Sequence, residues 1–380
     1  MKYIDEFRDP ALARKLVSGI QRAVAAYREA NGTDPTHPIR LMEFCGGHTH
    51  AIFRFGLRQM LEGDVEMRSG PGCPVCVTAG SDLDAAIALA EIPGVIVATF
   101  GDMMRVPGSR GTLQDSRATG GDVRMVYSPL DALMIARSNP DREVVFLGVG
   151  FETTAPGIAA AVLQAEEEQM PNFSVLSMHK LTPPAMRAIL DAGEVALDGI
   201  IGPGHVSAVI GSDAWSFLPT DYGMPCAISG FEPLDLLAAV AALVHAVTTE
   251  TPGVFNTYPR TVRPEGNAVA QRMLESVFEI APVAWRGFGT IPASGLGIQP
   301  ELAHRDAARR FCLKVEAVPE PAGCRCGEVL RGAIDPTDCG LFRRVCTPRS
   351  PVGPCMVSAE GACAAYYKFG EGLPADPSKL

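Results

Sequence analysis

Apolar residues recur at roughly helical spacing through ALARKLVSGIQRAVAAYREA, and the pattern stops at the breaker cluster NGTDP. Residues 1 to 30 therefore read as a helix. From about residue 39 the period changes. Short β-type runs (IRLMEF, GVIVATF, EVVFLGV, FSVLSMH, GIIGPG, CAISGF) alternate with helical runs such as SDLDAAIALAE, TTAPGIAAAVLQAEEEQ and EPLDLLAAVAALVHAV. Alternation of this kind over some two hundred residues predicts parallel sheets covered by helices, an α/β fold. One sheet holding all the strands and two similar lobes with a break near residue 130 both fit the pattern. After about residue 255 the regularity fades. NTYPRTVRPEGN reads as a linker, AVAQRMLESVFEI as a helix, and from Gly323 onward Gly, Pro and Cys dominate. Such a segment buries too little apolar surface by itself, so a metal centre is a natural staple.

In open parallel sheets, ligands sit outside the carboxyl ends of the strands. Here the strand ends run into polar chemistry: LMEF into CGGHTH, VVFLGVG into FETTAP, GIIGPG into HVS, AISG into FEP. These segments are expected to converge on one cleft.

Charge narrows the partners. The net charge is −10, with no basic stretch to follow a phosphate backbone, which argues against nucleic acid. The longest apolar stretch, Leu234 to Val247, contains Asp235 and His245 and is too short to span a bilayer, so no membrane partner is expected. The start, MKYIDEFRDP, is charged and lacks an apolar signal region, which predicts a cytoplasmic protein.

The cysteines change the picture most. There are eleven, an odd number, and in a reducing compartment metal binding or thiol chemistry explains them better than a disulfide framework. Cys45, Cys73 and Cys76 lie early, Cys226 lies alone, and Cys312, Cys324, Cys326, Cys339, Cys346, Cys355 and Cys363 crowd the tail. Two chemical centres are implied. In the tail, Cys324, Cys339, Cys346 and Cys363 follow C-x14-C-x6-C-x16-C, and starting from Cys326 gives C-x12-C-x6-C-x16-C. Four thiolates suit an iron–sulfur cluster. A four-cysteine zinc site is the alternative, though the usual paired C-x-x-C knuckles are missing.

In EFCGGHTHAIF, a thiol, two imidazoles and two glycines fall within six residues, Cys45 to His50. A thiolate at Cys45 would gain from helix N–H groups. The plainer reading is a buried cysteine with histidines as caps. GPGCPVC carries Cys73 and Cys76, which alone read as a redox pair, as half of a metal site or as an accident of a tight turn. Beside Cys45 they would form a three-thiol pocket for iron or copper. GVGFETTAPG lacks the third glycine of a dinucleotide loop. Thr153 or Thr154 would cap the next helix, or Glu152 would sit at the cleft. His205, Asp102 and Glu232 are further strand-end candidates, and His179 with Lys180 are weaker ones.

Taken together, CGGHTH, GPGCPVC, GFETTAP, PGHVS and the tail CRCGEVLRG…DCGLF…CTPRSPVGPCMVSAEGACAAYY resemble the HypD family of [NiFe] hydrogenase maturation factors, from Cys45 to Tyr367. The resemblance implies two parallel-sheet α/β lobes and a third, loop-rich, helix-containing iron–sulfur domain. On this chain that gives a helix at 1–35 packing on the cluster domain, lobe I at 36–132, lobe II at 133–255, and the cluster domain at 256–380. It also implies a [4Fe-4S] cluster and a complex with a HypC-type chaperone, on which iron is assembled as Fe(CN)2CO. Cyanide would arrive from HypE, with HypF upstream. The role implied is an assembly scaffold rather than a conventional turnover enzyme. Cys45 and His48 would meet the iron, His48 binding it or handling protons near pH 7, with Cys73 and Cys76 as a thiol redox pair and Glu152 and His205 lining the cleft. Cys324, Cys339, Cys346 and Cys363 would ligate the cluster, with Cys326 as alternative first ligand. A stand-alone cluster-dependent dithiol reductase is the competing reading.

Overall fold

The computed structural model describes residues 5–31, 37–314 and 319–370. The outer ends of the expected segments 1–35 and 256–380 lie outside the described residues.

Among the described residues, nine parallel strands form two sheets. They are β1 (Ile39–Glu43), β2 (Val65–Ser69), β3 (Val95–Thr99), β4 (Asp122–Met125), β5 (Glu143–Gly148), β6 (Phe173–Ser177), β7 (Gly199–Pro203), β8 (Cys226–Ser229) and β9 (Val254–Asn256). The first sheet has the order β2-β1-β7-β8-β9 and the second β4-β3-β5-β6. β3, β5 and β7 are buried along nearly their whole length, which is why they read as continuous apolar runs rather than as alternation. Two lobes are therefore present, but they interleave along the chain. The expected break between residues 132 and 133 separates β4 from β5, which share a sheet, and the first sheet is finished only by β7 to β9. Local periodicity names strands but carries no information on which strands pair.

The Pro10–Asn31 helix buries Ala13, Ile20 and Val24, one face of a helix. That face packs on the Pro233–Thr248 helix and the core of the first sheet, not on the tail as expected. The reason is complementarity: Leu236, Leu237, Val240 and Val244 belong to the same apolar core as the buried face of the Pro10–Asn31 helix.

Residues beyond 255 do not form one cluster domain. β10 (Phe278–Trp285) and β11 (Gly289–Ile298) make an antiparallel hairpin. Its base joins the core of the second sheet through Phe278, Leu296 and Ile298. Its tip carries Trp285 into the core that holds Cys73, Cys76 and Cys326. Isolated bridges tie Trp285 to Thr78 and Gly295 to Lys180. The hairpin thus straps the second lobe to the CPVC loop and to the tail. Among the described residues, no helix is long and apolar enough to cross a membrane.

Candidate functional site

β1 pairs with β2 on one side and β7 on the other, so the chain leaves its end at a topological switch point. Cys45 sits there, in extended conformation (φ −152°, ψ 125°), at the start of the Gly46–Arg54 helix. The N–H groups of Gly47 and His48 favour its thiolate. Burial and the carboxylates of Glu360 and Glu43 outweigh them and push the thiol up to about 12. A free thiolate is therefore not what the site holds at neutral pH. If a metal displaced the proton, the same two N–H groups would stabilise the thiolate that binds it.

Glu43 lies beneath this turn. It is 1% exposed, and its Oε2 accepts the Cys45 N–H at 2.9 Å while its Oε1 accepts the Thr49 hydroxyl. Burial raises its carboxyl to about 7 against those hydrogen bonds. His48 is fully buried. Its Nε2 lies 3.2 Å from the Ser229 carbonyl, so Nε2–H donates, and Nδ1 is left as a buried acceptor without a partner. Burial lowers His48 to about 4. It is a neutral imidazole at physiological pH, not the near-neutral proton carrier expected from its residue type. Phe231 packs at 4.7 Å from His48 and 3.9 Å from His205, which is exposed at the start of the Gly204–Ile210 helix after β7.

The GPGC loop is stitched to Cys45 through the backbone. Gly70 N donates to Glu43 O and Gly46 N to Gly72 O, both at 2.8 Å. A Cβ at Gly72 would lie 2.3 Å from the Cys45 nitrogen, so only glycine permits the approach. This contact sets Cys73 and Cys76 beside the Cys45 turn. The two are joined as a disulfide, with Cys73 capping the short Pro74–Val77 helix. The Cys76 sulfur is 4.0 Å from the Pro354 carbonyl, which places the pair against the tail.

Six thiols line one pocket there: Cys324, Cys326, Cys339, Cys346, Cys355 and Cys363, with no carboxylate or imidazole in its lining among the described residues. Cys326 is hydrogen-bonded to both Cys324 and Cys355, and these donors hold its thiol well below the usual range. Val352 N points at the Cys346 sulfur at 3.4 Å. A Cβ at Gly353 would meet the Cys324 sulfur at 2.7 Å, so the glycine leaves the sulfur its space. All-thiol donors with backbone N–H groups aimed at sulfur fit an iron–sulfur cluster. Among the described residues, no three His, Cys, Asp or Glu side chains converge as the ligands of a single ion.

The remaining candidates are spread more widely. Glu152 lies in the turn that follows β5 of the second sheet, 2% exposed. Its Oε1 accepts from the N–H (2.7 Å) and hydroxyl (3.1 Å) of Thr182, its Oε2 is unpartnered, and burial raises it to about 7. Thr154 stands at the next helix start without a capping hydrogen bond. His179 Nδ1 meets the Ser177 hydroxyl at 2.9 Å, and buried Lys180 pairs with Asp82 at 3.0 Å. Glu232 caps the Pro233–Thr248 helix and pairs with Arg8, a structural task. Asp102 reaches the site only through Glu360, whose carboxyl its charge raises after burial.

Sequence reasoning gave no role to Glu360, Phe231 or Cys355. The first two sit in loops with no periodic signal. Cys355 had one available: six clustered thiols exceed the four a cluster needs.

A family model described as HypD, "Hydrogenase formation hypA family", matches residues 13–370. "Hydrogenase maturation factor HypD" of Azotobacter vinelandii is 50% identical over 377 residues, covering 97% of both chains. The protein of the same name from Cupriavidus necator is 48% identical over 378 residues, again 97% of each chain. That of Escherichia coli K12 is 42% identical over 370 residues, 97% of this chain and 98% of its own.

Proposed function

The chain belongs to the HypD family of hydrogenase maturation factors, and from that premise we propose that it is a scaffold and redox factor for assembling the Fe(CN)2CO group of [NiFe] hydrogenases. Iron is the cargo. Cys45 supplies a soft thiolate to it, with the proton displaced on binding, and the unpartnered Nδ1 of neutral His48 offers a second donor or a proton acceptor at the same turn. A HypC-type chaperone would complete the iron's ligands, and HypE would bring the cyanide groups.

The observation that carries this reading is the continuous path from Cys45 to the tail. The Gly72 backbone touches Cys45, the CPVC pair follows at once, and Cys76 faces Pro354, next to Cys355. Cys355 and Cys326 are hydrogen-bonded and fully buried. They pair as a relay dithiol, which leaves Cys324, Cys339, Cys346 and Cys363 as the four ligands of a [4Fe-4S] cluster. That group supplies single electrons when bound. The protein's own step is thiol–disulfide exchange: the Cys326/Cys355 dithiol gives two electrons and two protons to the Cys73–Cys76 disulfide and becomes a disulfide itself.

The test is an infrared spectrum of the protein purified without oxygen after co-expression with the other maturation proteins. Cyanide and metal-carbonyl bands are expected. In Cys45→Ala they vanish while the brown colour of the tail centre persists. Bands that survive in Cys45→Ala overturn the role of Cys45. A brown wild-type protein without bands overturns the scaffold and favours the dithiol reductase.

A further inference from the structure

Between the two thiol centres lies one buried cation, Arg286, in the turn that joins β10 to β11. It is 2% exposed. Its backbone N–H donates to Val77 O at 2.9 Å and its Nε to Thr78 O at 3.0 Å, the two carbonyls that close the CPVC turn. Nη1 pairs with Glu320, and Nη2 is buried without an acceptor. On the opposite flank the next residue, Gly287 (φ +81°), lies against Gly327. A Cβ at Gly287 would sit 2.4 Å from the Gly327 Cα. Gly327 directly follows Cys326, and Arg331 fastens the contact by donating to the Gly287 carbonyl. One turn therefore touches the end of the redox pair and the start of the tail pocket.

A buried guanidinium N–H with nothing to bond to is costly unless an anion forms beside it. We propose that Arg286 is a positioning residue for the electron exchange between Cys73–Cys76 and the tail thiols, clamping the CPVC turn through Nε and its backbone and donating through Nη2 to a sulfur of the reduced tail pocket. The inference rests on the exchange described above. No further reductant enters: the two electrons and two protons that leave Cys326 and Cys355 appear on Cys73 and Cys76. A cation beside the reduced tail pair stabilises it, so Arg286 holds this exchange closer to balance. Without the charge, the tail pair becomes the stronger reductant.

The experiment uses full-length protein, equilibrated without oxygen in dithiothreitol buffers of graded oxidised fraction. Free thiols are trapped by alkylation, and each cysteine is quantified by mass spectrometry. Arg286→Gln is expected to shift the exchange about tenfold toward reduced Cys73/Cys76, which is about 30 mV for a two-electron couple. Arg286→Lys keeps the charge but cannot hold both the carbonyl and the sulfur. It should preserve the equilibrium and slow the exchange after a reductant pulse. Wild-type equilibrium and rate in Arg286→Gln overturn the role of Arg286. If Gln prevents folding, the Lys variant decides alone, and an unaltered rate overturns the clamp. Absence of exchange between the two pairs in the wild type fails the relay reading itself, a different result.

Discussion

The Cys45 turn and the tail pocket both gather sulfur, but by opposite means. At Cys45 the regular backbone does the positioning. A strand end at a switch point, a helix start and the Gly72 contact fix one thiol before any metal arrives. In the tail, 319–370, the helices are short and the turns are built from Gly and Pro, and the sulfurs themselves make up much of what is buried. The first region is a shape that awaits a ligand. On the reading proposed above, the second would draw its shape from the cluster it holds. The difference is energetic: a sheet lobe buries enough apolar surface to hold a polar edge in place, and fifty loop-rich residues do not.

The largest effect expected from this contrast follows metal removal. Stripping iron with a chelator under reducing conditions should abolish amide-exchange protection across 324–363 while the strands β1 to β8 stay protected. Cys339→Ala or Cys346→Ala should do the same without the chelator. Hydrogen-exchange mass spectrometry reads both. If the tail keeps its protection without metal, the distinction between the two regions fails.

Next in size is Gly72→Ala. The new methyl would meet the backbone of Cys45 at its N and Cα, 2.3 and 2.4 Å away, and backbone cannot swing aside as a side chain can. A cost at the upper end of overpacking, about 3 kcal/mol, is expected in urea unfolding. Gly63→Ala, with open space around it but φ +81°, should cost less. Equal costs would mean that the Cys45 turn is softer than its contacts imply.

These two substitutions also mark what a reader of the sequence could and could not see. The motif CGGHTH and the crowding of tail cysteines are local, and both can be read directly from the chain. That β7 would lie beside β1, or that residues 278–298 would strap one lobe to the other, depends on pairing across more than a hundred residues, about which local periodicity is silent. Titration was equally hidden. His48 looked like a group that switches near pH 7, and full burial moves it to about 4. Glu43 and Glu152 are ordinary carboxylates by residue type, and burial brings each to about 7. Residue type sets the starting value, and the packing that decides the shift is not written in the motif.

A pH experiment sharpens the same contrast within the sheet lobes. Glu152 binds its proton more tightly folded, at about 7, than unfolded, where the ordinary value is 4.5. Its contribution is therefore full below 4.5 and is lost as pH rises through 7. Replacing it by Gln removes the titration. The stability of Glu152→Gln relative to wild type should rise between pH 4.5 and 7, with a slope of at most about 1.4 kcal/mol per pH unit. His48, lowered by burial, has the opposite sign: its contribution is present above 6.5 and fades as pH falls toward 4. In wild type the two partly cancel, so the difference between variant and wild type is the quantity to follow. A flat difference would show that Glu152 is not protonated in the folded state.

The smallest effect belongs to the surface of the first lobe. Arg8 forms a two-pronged pair with Glu232, one prong at 2.8 Å, and the side chains are 37% and 21% exposed. An exposed ion pair gains little over its separately hydrated partners, and salt screens what it gains. Arg8→Ala should therefore cost no more than about 1 kcal/mol in urea, less at high salt, and should leave the thiol content of the tail unchanged. Glu232 also caps the Pro233–Thr248 helix through the Asp235 N–H, a task that survives the loss of Arg8. Glu232→Ala removes both contributions and should cost more than Arg8→Ala at every salt concentration. If the two variants were equal, the cap would add nothing. The helix that carries the first lobe would then be held by its buried Leu and Val residues alone, and the lobe's polar edge would owe its order entirely to the core beneath it.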